Sequence, residues 1–205
     1  MKTKTFAALC CVAALFAACE KNDVEPTAGD ANGHEYVDLG LSVKWATCNV
    51  GASTPEGYGD YFAWGETNTK STYSLDTYTY TDNKPVLDPE NDAAYINWGG
   101  AWRMPTDAEW QELRDNCTWT WTTLNGINGY EVKGSNGNAI FLPAAGFRSS
   151  NDVFYTGHYG CYWSSSLDAD APNNAKFVEF QSENNDIFRN YYSRVCGQSV
   201  RAVMK

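Results

Sequence analysis

Few residues in this 205-residue chain carry side chains suited to covalent chemistry, and their spacing decides what they can do. Ser164, Ser165 and Ser166 follow Trp163 directly, with His158 and Asp168 nearby in sequence. Those are the residue types of a serine hydrolase, in which a histidine takes the hydroxyl proton and a carboxylate orients the ring. The run lacks the glycines of a strand–turn–helix nucleophile elbow, so serines along an exposed strand edge are the plainer reading. The only two histidines, His34 in a polar leader and His158 in a Tyr-Gly loop, make a poor metal site. Asp88, Glu90, Asn91 and Asp92 offer hard oxygens, but not at the spacing of a calcium loop, and helix capping accounts for them. No motif sets out a carboxylate pair for glycoside hydrolysis. The expectation is a protein that is not an enzyme and uses no metal and no cofactor.

Side chains suited to recognition are more plentiful. The segments 147–160 and 167–175 read as loops, as does the turn Ser182-Glu183-Asn184-Asn185-Asp186. Candidate ligand-binding residues are Arg148, Asn151, Asp152, Tyr155, Tyr159, Asp168, Asn173 and Asn174, with Asp170 beside them. Asn and Asp hydrogen-bond sugar hydroxyls, and a tyrosine ring stacks on a sugar face. Polar loop decoration without a ligand is the competing explanation. The formal charge of −10 argues against nucleic acid, whose binding draws on clustered Lys and Arg.

The elements that must position these residues can be read in outline. Thr106 followed three residues later by Glu109 is a capping-box pattern, and Pro105 keeps Met104 extended, so a helix starts here. Trp110, Leu113 and Cys117 share its buried face. Arg103 is set to tie that helix to a neighbouring carboxylate. Trp102 and Trp110 are core residues first and ligand platforms second. A shorter helix is expected within residues 87–100, with Asp88 as N-cap, Pro89 at the first position and Gly99-Gly100 as terminators. Strands are expected in 36–48 (two, around Gly40), 58–66, 138–146, 159–166, 175–182 and 198–203. Phe177 with Glu179 alternates against Val178 with Phe180, the period of a strand. Short antiparallel strands with about two helices make the fold class α+β.

The N-terminus carries an address. Lys2 and Lys4 precede an apolar run from Phe6 to Ala18, shorter than the roughly 20 residues that span a bilayer. The run ends Leu15-Phe16-Ala17-Ala18-Cys19, which resembles a bacterial lipobox with Phe16 in place of leucine. That resemblance implies a lipoprotein signal peptide over 1–18, cleavage before Cys19 and lipidation of Cys19. Residues 19–34 are polar, show no hydrophobic period and read as a flexible tether. One domain over 35–205 remains.

Across that domain, "YVDLGLSVKWATCNVGA", "YGDYFAWGET", "WGGAWRMPTDAEW", "IFLPAAGFR", "YWSSS" and "GQSVRAV" follow in order. Together they resemble the Fibrobacter succinogenes major paralogous domain family, and residues 92–113 resemble the helix start of formylglycine-generating-type proteins. The resemblance implies a C-type-lectin-like fold carried by a lipoprotein at the outer membrane or cell surface. It brings no known reaction. The reactive cysteine pair of the formylglycine-generating enzymes is missing, since Cys161 and Cys196 are far apart in sequence. The Glu-Pro-Asn and Trp-Asn-Asp motifs of calcium-dependent lectins are also absent. The function expected is non-catalytic binding of a glycan or a surface protein. The alternatives are a structural or pilus-associated display subunit and an enzyme related to the formylglycine-generating type.

Beyond Cys19, four cysteines remain after the signal, Cys48, Cys117, Cys161 and Cys196. Export to an oxidising compartment permits disulfides, and four thiols allow three pairings. The pairing favoured joins Cys48 to Cys117 and Cys161 to Cys196; buried free thiols are the alternative.

Overall fold

A computed structural model of the chain describes residues 28–182 and 187–205. The signal peptide, Cys19 and most of the turn 182–186 lie outside them. The first described residues already form structure: strands β1 (Ala28–Ala31) and β2 (His34–Val37) make an antiparallel hairpin. Its turn is Asn32-Gly33, both with positive φ (53° and 81°), the geometry that matches the twist of a two-residue hairpin. The tether reading therefore fails for 28–34. What it overlooked is the Asn-Gly pair, a turn signal that outweighs the lack of apolar residues around it.

Strand β3 (Lys44–Asn49) follows, then the short β4 (Tyr61–Phe62). Far less of 58–66 is strand than its aromatic content predicts. A long irregular segment leads to a 3-10 turn at Pro89–Asn91, and only then to helix α1 (Ala93–Trp98). Asp88 starts the turn, but Asp92 caps the helix. Its Oδ1 accepts from the Ala94 and Tyr95 amides (2.9 and 3.0 Å), and its Oδ2 accepts from Met104 N–H (2.8 Å). The cap thus also fixes the stretch that enters the next helix. Gly99 and Gly100, with φ of 67° and 63°, end α1 as expected.

Helix α2 (Asp107–Asn116) begins with the reciprocal box read from sequence. The Glu109 amide donates to Thr106 Oγ1 (3.3 Å), and the Thr106 amide donates to Glu109 Oε2 (2.8 Å). Arg103 closes on the same carboxylate with two bonds, 2.8 and 2.5 Å. No described helix is long and apolar enough to cross a membrane.

The remaining strands are β5 (Thr118–Leu124), β6 (Ile127–Lys133), β7 (Ala139–Pro143), β8 (Phe147–Ser149), β9 (Asp152–Phe154), β10 (Tyr159–Leu167), β11 (Asn174–Gln181), β12 (Ile187–Ser193), β13 (Gln198–Ser199) and β14 (Arg201–Met204). They assemble as a four-stranded sheet β1-β2-β3-β14, a five-stranded sheet β12-β11-β10-β13-β4, a three-stranded sheet β5-β6-β7 and the ribbon β8-β9. Between these strands every described pairing is antiparallel except the β10–β13 contact at Tyr162 and Ser199, and an isolated parallel bridge joins Gly146 to Gly160. The architecture is α+β and rich in sheet.

In the five-stranded sheet, β10 and β11 bury side chains on both faces. Cys161, Trp163, Ala175 and Phe177 point into one core with Trp64, Trp98 and Trp102. Tyr162, Val178 and Phe180 point into another with Trp45, Trp110, Leu113 and Tyr130. The alternation read along β11 is real, but it separates two cores rather than core from solvent. Trp102 and Trp110 are fully buried. Their indole N–H groups donate to the Ala31 and Trp163 carbonyls (2.8 and 3.2 Å), so both are framework residues.

Candidate functional site

The segment 147–160 is not a loop but a strained ribbon standing on the sheet. Gly146 (φ 65°) allows the chain to turn out of β7, and a Cβ there would overlap the Phe154 carbonyl. β8 and β9 pair through Phe147–Phe154, Arg148–Val153 and Ser149–Asp152, with Ser150 at φ 52° in the turn. Two pairs of backbone bonds clamp β8 and the ribbon's turn. Arg148 exchanges bonds with Gly197 (2.7 and 2.9 Å), and Ser150 exchanges bonds with Tyr73 (2.8 and 2.9 Å).

This framework presents a ledge of aromatic rings. Phe147 stacks on Phe154 at 5.6 Å and 28°, with Tyr155 at 6.0 Å and Tyr192 of β12 at 5.4 Å. Tyr159 lies 4.9 Å from Tyr155. Phe154, Tyr155 and Tyr192 remain 40%, 58% and 36% exposed. Tyr155 has φ 58°, a conformation that bulky residues avoid, and it is held there by His158 and Tyr159 amides donating to its carbonyl (both 3.0 Å). Burial pushes the Tyr192 hydroxyl above its ordinary pKa, with the neighbouring Cys196 thiol adding to the shift, so it stays a neutral donor.

The residues singled out from sequence divide among several roles. Tyr155 and Tyr159 belong to the ledge, and Asp152 lies exposed at the ribbon's end. Arg148 is structural: its guanidinium covers the Tyr73 ring at 5.3 Å and donates to the Asn151 carbonyl at 3.1 Å. Asn151 Oδ1 accepts from the Thr72 hydroxyl (2.6 Å). Asp168 is buried, pairs with Lys176 at 3.4 Å and accepts from the Asp170 amide, so it holds a turn. Asn174 is inside β11 opposite Ser193, whereas Asn173 is exposed at the mouth of a separate groove. Sequence reading missed Phe147, Phe154 and Tyr192. The exposed run Val153-Phe154-Tyr155 was the available signal for one of them, and Tyr192 joins only through β12 pairing.

The hydroxyls and thiols are placed for packing. Ser164 and Ser165 donate to the Lys176 and Pro105 carbonyls (3.0 and 3.3 Å), and Ser166 accepts from the Asp107 amide (3.1 Å). They sit on a buried strand, not an exposed edge. His34, expected in a tether, stacks on Trp98 at 3.9 Å, and burial lowers its pKa while Asp30 opposes the shift. The four described cysteines are free, and neither of the disulfides expected from sequence is formed. Cys48 is half-buried on β3, and Cys117 packs on the core that holds Trp45. Cys161 turns into the first core, and Cys196 meets Ser149. Burial raises both thiols, and raises Cys117 to about 11, which disfavours thiolate chemistry. Among the described residues no group of three or more His, Cys, Asp or Glu is placed to hold a metal. Asp88, read as a calcium candidate, is taken by Lys84, and Asp92 by backbone amides.

Comparison with known protein families, with curated proteins and with solved structures finds no match.

Proposed function

We propose that this chain is a lipoprotein anchored through Cys19 at the outer membrane or cell surface, with a C-type-lectin-like domain that binds carbohydrate and performs no chemistry. The observation that carries the reading is the exposed ledge that Phe154 and Tyr155 of the clamped ribbon form with Tyr192 of β12. Contiguous exposed aromatics on a soluble domain mark interaction sites. Tyrosine combines a flat apolar face for the C–H side of a pyranose with a hydroxyl for its oxygens. The strained backbone of Tyr155 supports the same reading, since such conformations persist where the fold holds a side chain in place for use.

A glycan array probed with the soluble domain tests the proposal, with and without calcium. Binding is expected without calcium, weak for a single sugar because a shallow ledge buries little area. Tyr155→Ala lowers it about tenfold or more while leaving the far-UV spectrum and melting temperature unchanged. Absence of any glycan binding points instead to a display subunit or a protein partner, and turnover of a substrate overturns the non-enzymatic reading. The anchor is tested separately: Cys19→Ala releases the protein from membranes without unfolding the domain, and continued membrane partitioning refutes lipidation there.

A further inference from the structure

A strand at the edge of a sheet offers unpaired backbone groups to any second strand, and proteins blunt such edges with charge, proline, short length or cover. Most described edges here are blunted. β1, β9 and β12 carry Asp30, Asp152 and Arg189, and β4 is only two residues long. β14 is covered by Arg103, which exchanges backbone bonds with Val203 (3.0 and 2.9 Å). β7 gives its Phe141 carbonyl to Arg201 at 2.9 Å and ends at Pro143, which has no N–H to offer. β5 has none of these devices. Its seven residues, Thr118 to Leu124, include no charge and no proline, and their register with β6 is unbroken.

The hairpin turn decides which backbone groups of β5 face outward. The residues that flank a two-residue turn exchange both of their bonds, so Leu124 bonds Ile127. By alternation Thr122, Thr120 and Thr118 also bond across to β6, while the N–H and C=O groups of Trp119, Trp121 and Thr123 point away from it. The far side of β6 agrees, because its Asn128 carbonyl accepts from the Ala144 amide (2.8 Å) that follows β7. Among the described residues no backbone group bonds to the outward set. Thr118, Thr120 and Thr122 are exposed on one face of the strand. On the other face Trp119 and Trp121 are half-buried against Tyr130 and Phe180.

We propose that β5 pairs antiparallel with β5 of a second copy of this chain, about a two-fold axis at Trp121. The outward residues are spaced evenly around that position. Trp119 therefore meets Thr123 of the second copy, and Trp121 meets its own counterpart. Every outward N–H and C=O then finds a partner, with two bonds to each facing pair. On the exposed face Thr120 lies opposite Thr122 of the second copy, a β-branched cross-strand pair suited to a sheet. Charge selects this edge for self-pairing. The chain carries a formal charge of −10 and its copies repel one another, whereas β5 brings no charge against its counterpart. The contact is isologous, so assembly closes at the dimer. One strand pair covers less than the roughly 1,200 Å² of a stable interface, so the dimer is weak and reversible.

Sedimentation velocity of the full chain, in detergent that shields its N-terminal apolar run, tests the pairing. A monomer–dimer equilibrium with nothing larger is expected as concentration rises towards the millimolar range. Two double variants at exposed positions read the register. Thr120→Lys with Thr122→Lys sets lysine opposite lysine at both facing pairs and weakens the dimer at least about tenfold. Thr120→Lys with Thr122→Glu sets opposite charges across the same pairs and restores it. Unchanged melting temperatures show that both variants keep the fold. A parent chain that stays monomeric, or one that grows beyond the dimer, overturns the proposal. So does a Lys–Lys variant that dimerises as well as the parent, or a Lys–Glu variant as weak as the Lys–Lys one.

Discussion

Glu109 holds three groups at once: the Thr106 amide and two nitrogens of Arg103. Burial pushes its carboxyl upward, but the hydrogen bonds from Arg103 and Thr106 outweigh this and leave the pKa below its ordinary value. A depressed carboxylate contributes stability above its unfolded pKa, and that contribution disappears as pH falls through the folded value. Urea unfolding should therefore show a loss of stability from about pH 5 downward, part of which Glu109→Gln removes. The same variant should lower stability near neutral pH by about 1–3 kcal/mol, because the charge that pairs with Arg103 is lost and one oxygen is left where two accepted from Arg103 and the Thr106 amide. Trp110→Ala, which empties a fully buried site, should cost about 3–5 kcal/mol. Local sequence was informative here because a capping box and a Pro-preceded helix start are contacts within a few residues. Arg201 was opaque for the opposite reason. It is fully buried and donates to Asn49, Ala46, Thr47 and Phe141, partners 60 or more residues away.

The strands that sequence reading passed over are those whose apolar pattern is weak and whose turns are strong. β5 and β6 read Thr118-Trp-Thr-Trp-Thr-Thr-Leu124 and Ile127-Asn-Gly-Tyr-Glu-Val-Lys133, joined by Asn125-Gly126 with φ of 49° and 86°. That pair alone specifies a two-residue hairpin. A Cβ on Gly126 meets nothing within 4 Å, so only its backbone conformation is at stake. Gly126→Ala should therefore destabilise by about 1 kcal/mol without altering ligand binding, as measured by chemical unfolding. Gly146 is a different case, because its Cβ overlaps the Phe154 carbonyl and the backbone of the ribbon must move. Gly146→Ala should displace Phe154 and Tyr155 and weaken glycan binding more than it weakens the fold. A result in which both glycine variants affect binding equally would detach the ledge from the function proposed for it. The candidate residues of this ribbon were legible as aromatic and polar types. Their division into Arg148 as a brace and Tyr155 as a surface was not, since it depends on Tyr73 and Gly197 from elsewhere in the chain.

At the scale of the whole molecule, the middle strands β10 and β11 of the five-stranded sheet bury side chains on both faces, so the two cores must each be closed by another layer. The second core is closed by α2 and by the β5-β6-β7 sheet. The first is closed in part by the N-terminal hairpin, a role invisible in a polar stretch with no hydrophobic period. Ala31 packs against that core and its carbonyl accepts the buried Trp102 indole N–H at 2.8 Å. Gly29 lies opposite Tyr36, whose ring occupies the space a side chain would fill. His34 covers Trp98 at 3.9 Å. A tether would be dispensable, whereas a closing strand is not. Deleting residues 28–33 leaves the Trp102 indole without its acceptor and uncovers the ring of Tyr36. Loss of one buried hydrogen bond and of this apolar cover should cost about 2–4 kcal/mol. Urea unfolding followed by tryptophan fluorescence should show a lower midpoint and a red-shifted native emission as Trp98 and Trp102 meet water. Unchanged stability and emission would return residues 28–33 to the role of spacer, and the domain would then begin where the sequence alone set it.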